Sequence, residues 1–226
     1  MTQVQVDFSR FTHMPQLICF DLDYTIWPLT QGFSVADRSG NKVSIYSDLP
    51  AIFRYLKERH PEIKLAIASR THAPEYADVI LDLLHVAPAH FQPPVGKSRS
   101  TTEPNPVLHP PLKSFFDVFE IYPSDKQAHF KSIHKKTSIP FENMLFFDDE
   151  RRNIISVGKL GVTCVDVGRT GTTLVNFMEG LQKYQERRKG GEMLKGWLKG
   201  AGKGLGKSGL KNEDGEEVEF TVTNGR

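Results

Sequence analysis

The chain has 226 residues, 38% hydrophobic and 25% charged, with a formal net charge of +2. That length suits one sizeable globular domain with room for an appendage, and a near-neutral balance makes no case for a nucleic-acid binder. The two cysteines, Cys19 and Cys164, exclude a disulfide scaffold, and no apolar run approaches the ~20 residues of a membrane-spanning helix.

Leu17-Ile18-Cys19-Phe20 reads as a buried strand that runs straight into Asp21-Leu22-Asp23-Tyr24-Thr25. The start of the chain is polar and lacks a secretory pattern, so a cytoplasmic or nuclear location is expected. Phe33–Ile45 reads as a hairpin with Ser39-Gly40-Asn41 at its turn. Leu49, Ile52, Phe53 and Leu56 recur at helical spacing and predict a helix over Asp48–Arg59, with Pro50 in its first turn. Ile63–Ala68 is a second strand. Pro74 opens a second helix with Tyr76, Val79, Ile80, Leu83 and Leu84 on one face.

The stretch Gln92–Pro111 holds six prolines and reads as a loop insertion. Val118–Tyr122 is a third strand, and Ser124 with Gln127 has capping-box spacing for the helix after it. Met144–Phe147 is a fourth strand that ends on Asp148-Asp149. Ile154, Val157 and Leu160 mark the next helix, which Gly161 closes. Val162–Val167 is a fifth strand, and Leu174, Phe177, Met178 and Leu181 mark a last helix. From Lys189 the chain turns Gly- and Lys-rich, then acidic, and reads as a disordered, solvated tail rather than a helix. Strands alternating with helices imply right-handed βαβ units. The expected fold is α/β and Rossmann-like, a parallel sheet with helices on both faces over residues 1–188, with 189–226 as tail. Only about two dozen residues lie between Asp23 and the first helix, too few for a separate cap domain.

Chemistry-bearing residues gather where these strands end. Asp21 and Asp23 follow the first strand, Ser69 and Arg70 the second, Lys126 the third, and Asp148 and Asp149 the fourth. The carboxyl ends of parallel strands converge on one edge, where open α/β folds bind ligands. Clustered carboxylates repel one another unless a hard cation sits among them, and oxygen-only ligation favours Mg²⁺. Arg70 and Lys126 add positive charge for a phosphoryl group, and Ser69 adds a donor. Asp21 and Asp23, two apart, can address one substrate: one acid as nucleophile, the other as proton carrier. Together these groups point to phosphoryl transfer. Cys19 is read as core, His129 and His134 as surface, and Tyr24 and Trp27 as aromatic neighbours of the site that contact substrate or pack.

In order and placement, Asp21-Leu22-Asp23-Tyr24-Thr25, Ser69, Lys126 and Asp148-Asp149 with Asn153 resemble the four motifs of the haloacid dehalogenase superfamily. Asp21–Pro28, Ala68-Ser69-Arg70-Thr71, Tyr122-Pro123 and Phe146–Asn153 are further similar to its magnesium-dependent phosphatase-1 group. The resemblance implies a phospho-aspartate on Asp21, with Asp23 as general acid/base and Leu22 offering its backbone N–H to the phosphate. It implies Mg²⁺ held by Asp21, the Asp23 carbonyl and Asp149, with Asp148 and Asn153 in support. Ser69, Arg70 and Lys126 would hold phosphate oxygens. The substrates it implies are sugar phosphates such as fructosamine-6-phosphate, or phosphotyrosine. The alternatives are a phosphoprotein phosphatase of the DxDxT type and a non-catalytic scaffold of the same fold.

Overall fold

The computed structural model describes residues 8, 10–28, 44–86, 109–201, 210–211 and 217–218. All but the last two residues of the expected hairpin at 33–45, and all but the last residues of the proline-rich stretch, lie outside them. Five strands, β1 (Leu17–Phe20), β2 (Lys64–Ser69), β3 (Val118–Ile121), β4 (Met144–Asp148) and β5 (Thr163–Asp166), form one parallel sheet. Their order is β3-β2-β1-β4-β5. The helices are α1 (Leu49–Arg59), α2 (Pro74–Leu83), α3 (Lys126–Thr137), α4 (Arg151–Gly158) and α5 (Leu174–Ala201).

Side chains alternate across a strand, and here the alternation sorts the core into two layers. Ile18 and Phe20 of β1, Leu65 and Ile67 of β2, and Leu145 and Phe147 of β4 pack with Leu49, Ile52, Phe53 and Leu56 of α1, Ile80 and Leu81 of α2, and Phe177 and Leu181 of α5. The alternate residues Leu17, Cys19, Ala66, Ala68, Met144 and Phe146 pack with Phe130 and Ile133 of α3 and Val157 of α4. The sheet is therefore covered on both faces, as expected. Fully burying each large aliphatic or aromatic side chain contributes about 1.5–3 kcal/mol. Where α5 crosses the sheet there is little room. A methyl group on Gly180 would lie 2.9 Å from the Phe147 ring and from Val165.

Several expectations need correction. The cap of α3 is Asp125, whose side chain accepts from the Gln127 N–H at 2.6 Å, so Ser124 and Gln127 form no capping box. The tail was expected to be disordered from Lys189. Instead α5 continues through Gly190, Gly191 and Gly196 to Ala201. Each glycine costs about 1 kcal/mol relative to alanine, and the Lys, Glu, Met and Leu between them are strong helix formers. Residues 187–226 form a compact unit of their own, which includes a short antiparallel ladder pairing Leu210 with Val218 and Lys211 with Glu217. No described helix is long and apolar enough to cross a membrane.

Candidate active site

The strand order places β1 at the centre of the sheet, with β2 on one side and β4 on the other. The chain leaves β1 towards β2 and β3, then crosses back to β4. The crevice beyond the carboxyl ends of β1 and β4 is thus the topological switch point, the place such sheets bind ligands. A cleft of about 380 Å³ opens there. Its walls carry Asp21, Asp23, Ser69, Arg70, Lys126, Asp149 and Asn153, joined by Tyr24, Thr71, His72, Glu150 and Arg152. Asp148 stands behind them, fully buried.

Asp21 follows β1 directly, and its N–H continues the ladder by donating to the Phe147 carbonyl at 3.0 Å. Strand periodicity does not carry on to Asp23. The backbone wraps around the Leu22 carbonyl, which accepts from the N–H groups of Thr25, Ile26 and Trp27. Tyr24 takes a left-handed φ of 55° within this turn. The turn, rather than the pleat, brings Asp23 into the cleft. There its Oδ1 accepts from the Trp27 indole N–H at 3.0 Å.

Lys126, the first residue of α3, is 1% exposed. A cation at a helix start opposes the helix dipole, and here carboxylates compensate. Its Nζ lies 2.7 Å from Asp21 Oδ1 and 2.9 Å from Asp148 Oδ2, and it also donates to the Ala68 carbonyl. All three of its protons are therefore engaged by the protein. Burial opposes the ammonium, but Asp21 and Asp148 outweigh it and hold its pKa above the usual lysine value. Burial pushes the Asp21 carboxyl up to about 7; Lys126 counters this and Asp148 adds to it. Burial and the Asp148 charge likewise raise Asp149 to about 6.

Oxygen atoms of Asp21, Asp148 and Asp149 lie within 4.8 Å of one another. Three carboxylates that close, two of them raised by burial and mutual repulsion, fit a divalent cation with oxygen ligands. Asp148 is already well used. It accepts from Asn153 Nδ2 on both oxygens, at 3.0 and 3.1 Å, from the Glu150 N–H at 2.8 Å, and from Lys126. Asp149 is half-buried and faces the cleft.

Arg70 does enter the cleft, but its guanidinium is tethered. Nε donates to the Ser124 carbonyl at 3.0 Å, Nη1 to Asn153 Oδ1 at 3.4 Å, and Nη1 lies 3.5 Å from Glu150. Ser69 ends β2, 1% exposed, and caps no helix; Ala73 occupies the cap position of α2.

Glu150 and Arg152 stand at this rim without having been singled out in the sequence. Both lie inside the Phe146–Asn153 run, and Glu150 holds Arg152 through two contacts of 2.8 Å. His129 is buried rather than on the surface. Its Nε2–H faces the Tyr122 carbonyl at 3.0 Å and its ring lies against that of Tyr122. The Cys19 thiol is buried, which pushes its pKa well up and leaves it an inert part of the core.

Residues 13–187 match the acid phosphatase family model. The chain is 33% identical to human magnesium-dependent phosphatase 1 over 189 residues, covering 78% of this chain and 91% of that protein. It is also 33% identical to an HAD-like hydrolase superfamily protein of Schizosaccharomyces pombe, covering 73% of this chain and 93% of the relative. Among solved structures, a HAD-superfamily hydrolase from Ehrlichia chaffeensis aligns with a TM-score of 0.47 at 12% identity, over 77% of this chain and 98% of its own. The chain belongs to the acid phosphatase family, within the haloacid dehalogenase superfamily that its four motifs resemble.

Proposed function

We propose that this protein is a magnesium-dependent phosphatase that hydrolyses phosphomonoesters through a phospho-aspartate on Asp21, with Asp23 as general acid/base. One observation carries the reading. A buried ammonium, three converging carboxylates and a fourth, separately held acid share one cleft at the sheet's switch point.

Asp21, Asp149 and the Asp23 backbone carbonyl would hold Mg²⁺, with Asp148 adjacent. When bound, the ion offsets the charge that keeps one anion from approaching another. An Asp21 oxygen attacks phosphorus, and the bond from phosphorus to the leaving oxygen breaks. The electron pair goes to that oxygen, which takes the proton from Asp23. Asp23, now a carboxylate, removes a proton from water as that water attacks the phospho-aspartate, which returns phosphate and free Asp21. Lys126, beside Asp21 Oδ1, would neutralise the oxygens of a phosphoryl group joined there. The Leu22 N–H, already directed at the Asp21 carboxylate, and the Ser69 hydroxyl would bind the same oxygens. Arg70 would contact them from its tether on Ser124, Asn153 and Glu150.

No cap domain stands over the cleft among the described residues. Sugar phosphates such as fructosamine-6-phosphate and phosphotyrosine are the proposed substrates, and the alternative is a phosphoprotein phosphatase of the DxDxT type. The complete set of acids and Lys126 argues against a non-catalytic scaffold.

The test is hydrolysis of an aryl phosphate, fructosamine-6-phosphate and phosphotyrosine peptides with Mg²⁺, with EDTA, and by Asp21→Asn. Activity with Mg²⁺ alone, and acid-stable, hydroxylamine-sensitive phosphate on the wild type only, is expected. Equal turnover in all three conditions would sink the proposal.

A further inference from the structure

Trp27 is 2% exposed and belongs to the main core cluster; it forms no part of the cleft wall. Yet its indole N–H reaches Asp23 Oδ1 at 3.0 Å. The five residues from Asp23 to Trp27 are fixed by more than this bond. The Tyr24 N–H donates to the Trp27 carbonyl at 2.7 Å, the Trp27 N–H donates to the Leu22 carbonyl, and the Ile26 carbonyl accepts from the Tyr46 N–H at 3.0 Å. The left-handed Tyr24 permits this closure.

We propose that Trp27 is a positioning residue for the chemical step. Its buried N–H occupies Asp23 Oδ1 and so assigns proton transfer to Oδ2, which it keeps directed into the cleft. The inference rests on the reading of Asp23 as general acid/base. An indole nitrogen only donates. A protonated Asp23 facing it therefore carries its proton on the other oxygen. As the leaving group departs, the Oδ2–H bond breaks, the proton passes to the leaving oxygen, and the charge left on Asp23 is met at once by the indole. Hydrogen bonds to ionised groups are the stronger ones, so this contact favours the transition state over the starting acid. A donor embedded in the core moves little, and orientation of an acid at the reacting atom is what general acid catalysis needs.

The experiment compares wild type, Trp27→Phe and Asp23→Asn as full chains with Mg²⁺, using kcat/KM across phosphomonoesters. Alkyl phosphates need the proton on their leaving oxygen, whereas p-nitrophenyl phosphate needs it little. General acids contribute about 10²–10⁴-fold, and we expect Trp27→Phe to lose about 10-fold or more on alkyl phosphates and under about 3-fold on p-nitrophenyl phosphate. Beryllofluoride binding should stay within about 3-fold of wild type, since the indole touches none of the groups that hold phosphate. Replacing Trp27 by benzothienylalanine keeps the bicyclic shape without the N–H, and should reproduce the same selective loss even if phenylalanine loosens the core. Equal losses on both substrate classes, or none, in the benzothienyl protein would overturn the role given to Trp27. If Asp23→Asn itself shows no selectivity between the classes, the general-acid reading fails, and the inference with it.

Discussion

Asn153 grips Asp148 by both carboxylate oxygens, at 3.0 and 3.1 Å, while its own carbonyl oxygen accepts from Arg70. One amide thus orients an acid of the carboxylate cluster and a cation of the rim. Groups that orient metal ligands typically cost 10–100-fold when removed. Asn153→Ala is expected to weaken Mg²⁺ activation by about that factor. A Mg²⁺ titration of activity, with the concentration for half-maximal rate as readout, checks it.

Lys126→Met leaves Asp21 and Asp148 facing one another in a buried site without their shared counter-charge. Breaking a buried ion pair from one side costs about 3–5 kcal/mol. The variant should unfold at markedly lower urea concentration in EDTA, and the deficit should shrink when Mg²⁺ is added. An unchanged urea midpoint would show that the ammonium contributes no net stability.

His129 gives stability a pH dependence. Burial holds its imidazole below the usual histidine value; the nearby Lys126 and Arg70 charges push the same way, and its bond to the Tyr122 carbonyl and the Glu120 charge oppose it. The unfolded chain therefore takes up this proton first as pH falls. The stability this group contributes is complete above about 6.5 and declines below it, until the folded protein is protonated as well. The slope from one such group is at most about 1.4 kcal/mol per pH unit. Urea midpoints measured between pH 8 and 5 should fall less steeply for His129→Gln than for wild type.

Gly180→Ala places a methyl 2.9 Å from Phe147 and Val165. Overpacking of this kind costs about 1–3 kcal/mol, here by pushing α5 off the sheet. Thermal unfolding should show the loss, with KM for p-nitrophenyl phosphate unchanged.

Periodic patterns made the sheet, its five main helices and the strand-end acids readable, because burial of one face leaves a regular imprint on sequence. What escaped the reading depends on polar residues at apolar positions. Lys126, His129, Phe130 and Ile133 form one buried stripe of α3, yet two of the four are polar. The stripe's spacing carried the signal, and a hydrophobic count concealed it. The Asp125 cap and the Trp27–Asp23 bond are decided by the local turn path and side-chain direction, which composition does not encode. The same holds for Arg70. Its residue type suggested a phosphate contact, but its tether on Ser124, Asn153 and Glu150 appears only once three segments meet.

The central place of β1 has a consequence for how the molecule is born. Its ladder with β4 joins Leu17–Phe20 to Met144–Phe147, so Asp21 emerges from the ribosome long before the residues that restrain it. At synthesis rates of about 5–20 residues per second, the first acids wait several seconds for Lys126, and longer for Asp148. A nascent chain stalled before β4 carries Asp21 and Lys126 but lacks Asp148, the second carboxylate on that ammonium. Enzymatic activity therefore reports on completion of the last central strand pairing, and a pulse of newly made chains should gain turnover only after that strand has cleared the exit tunnel.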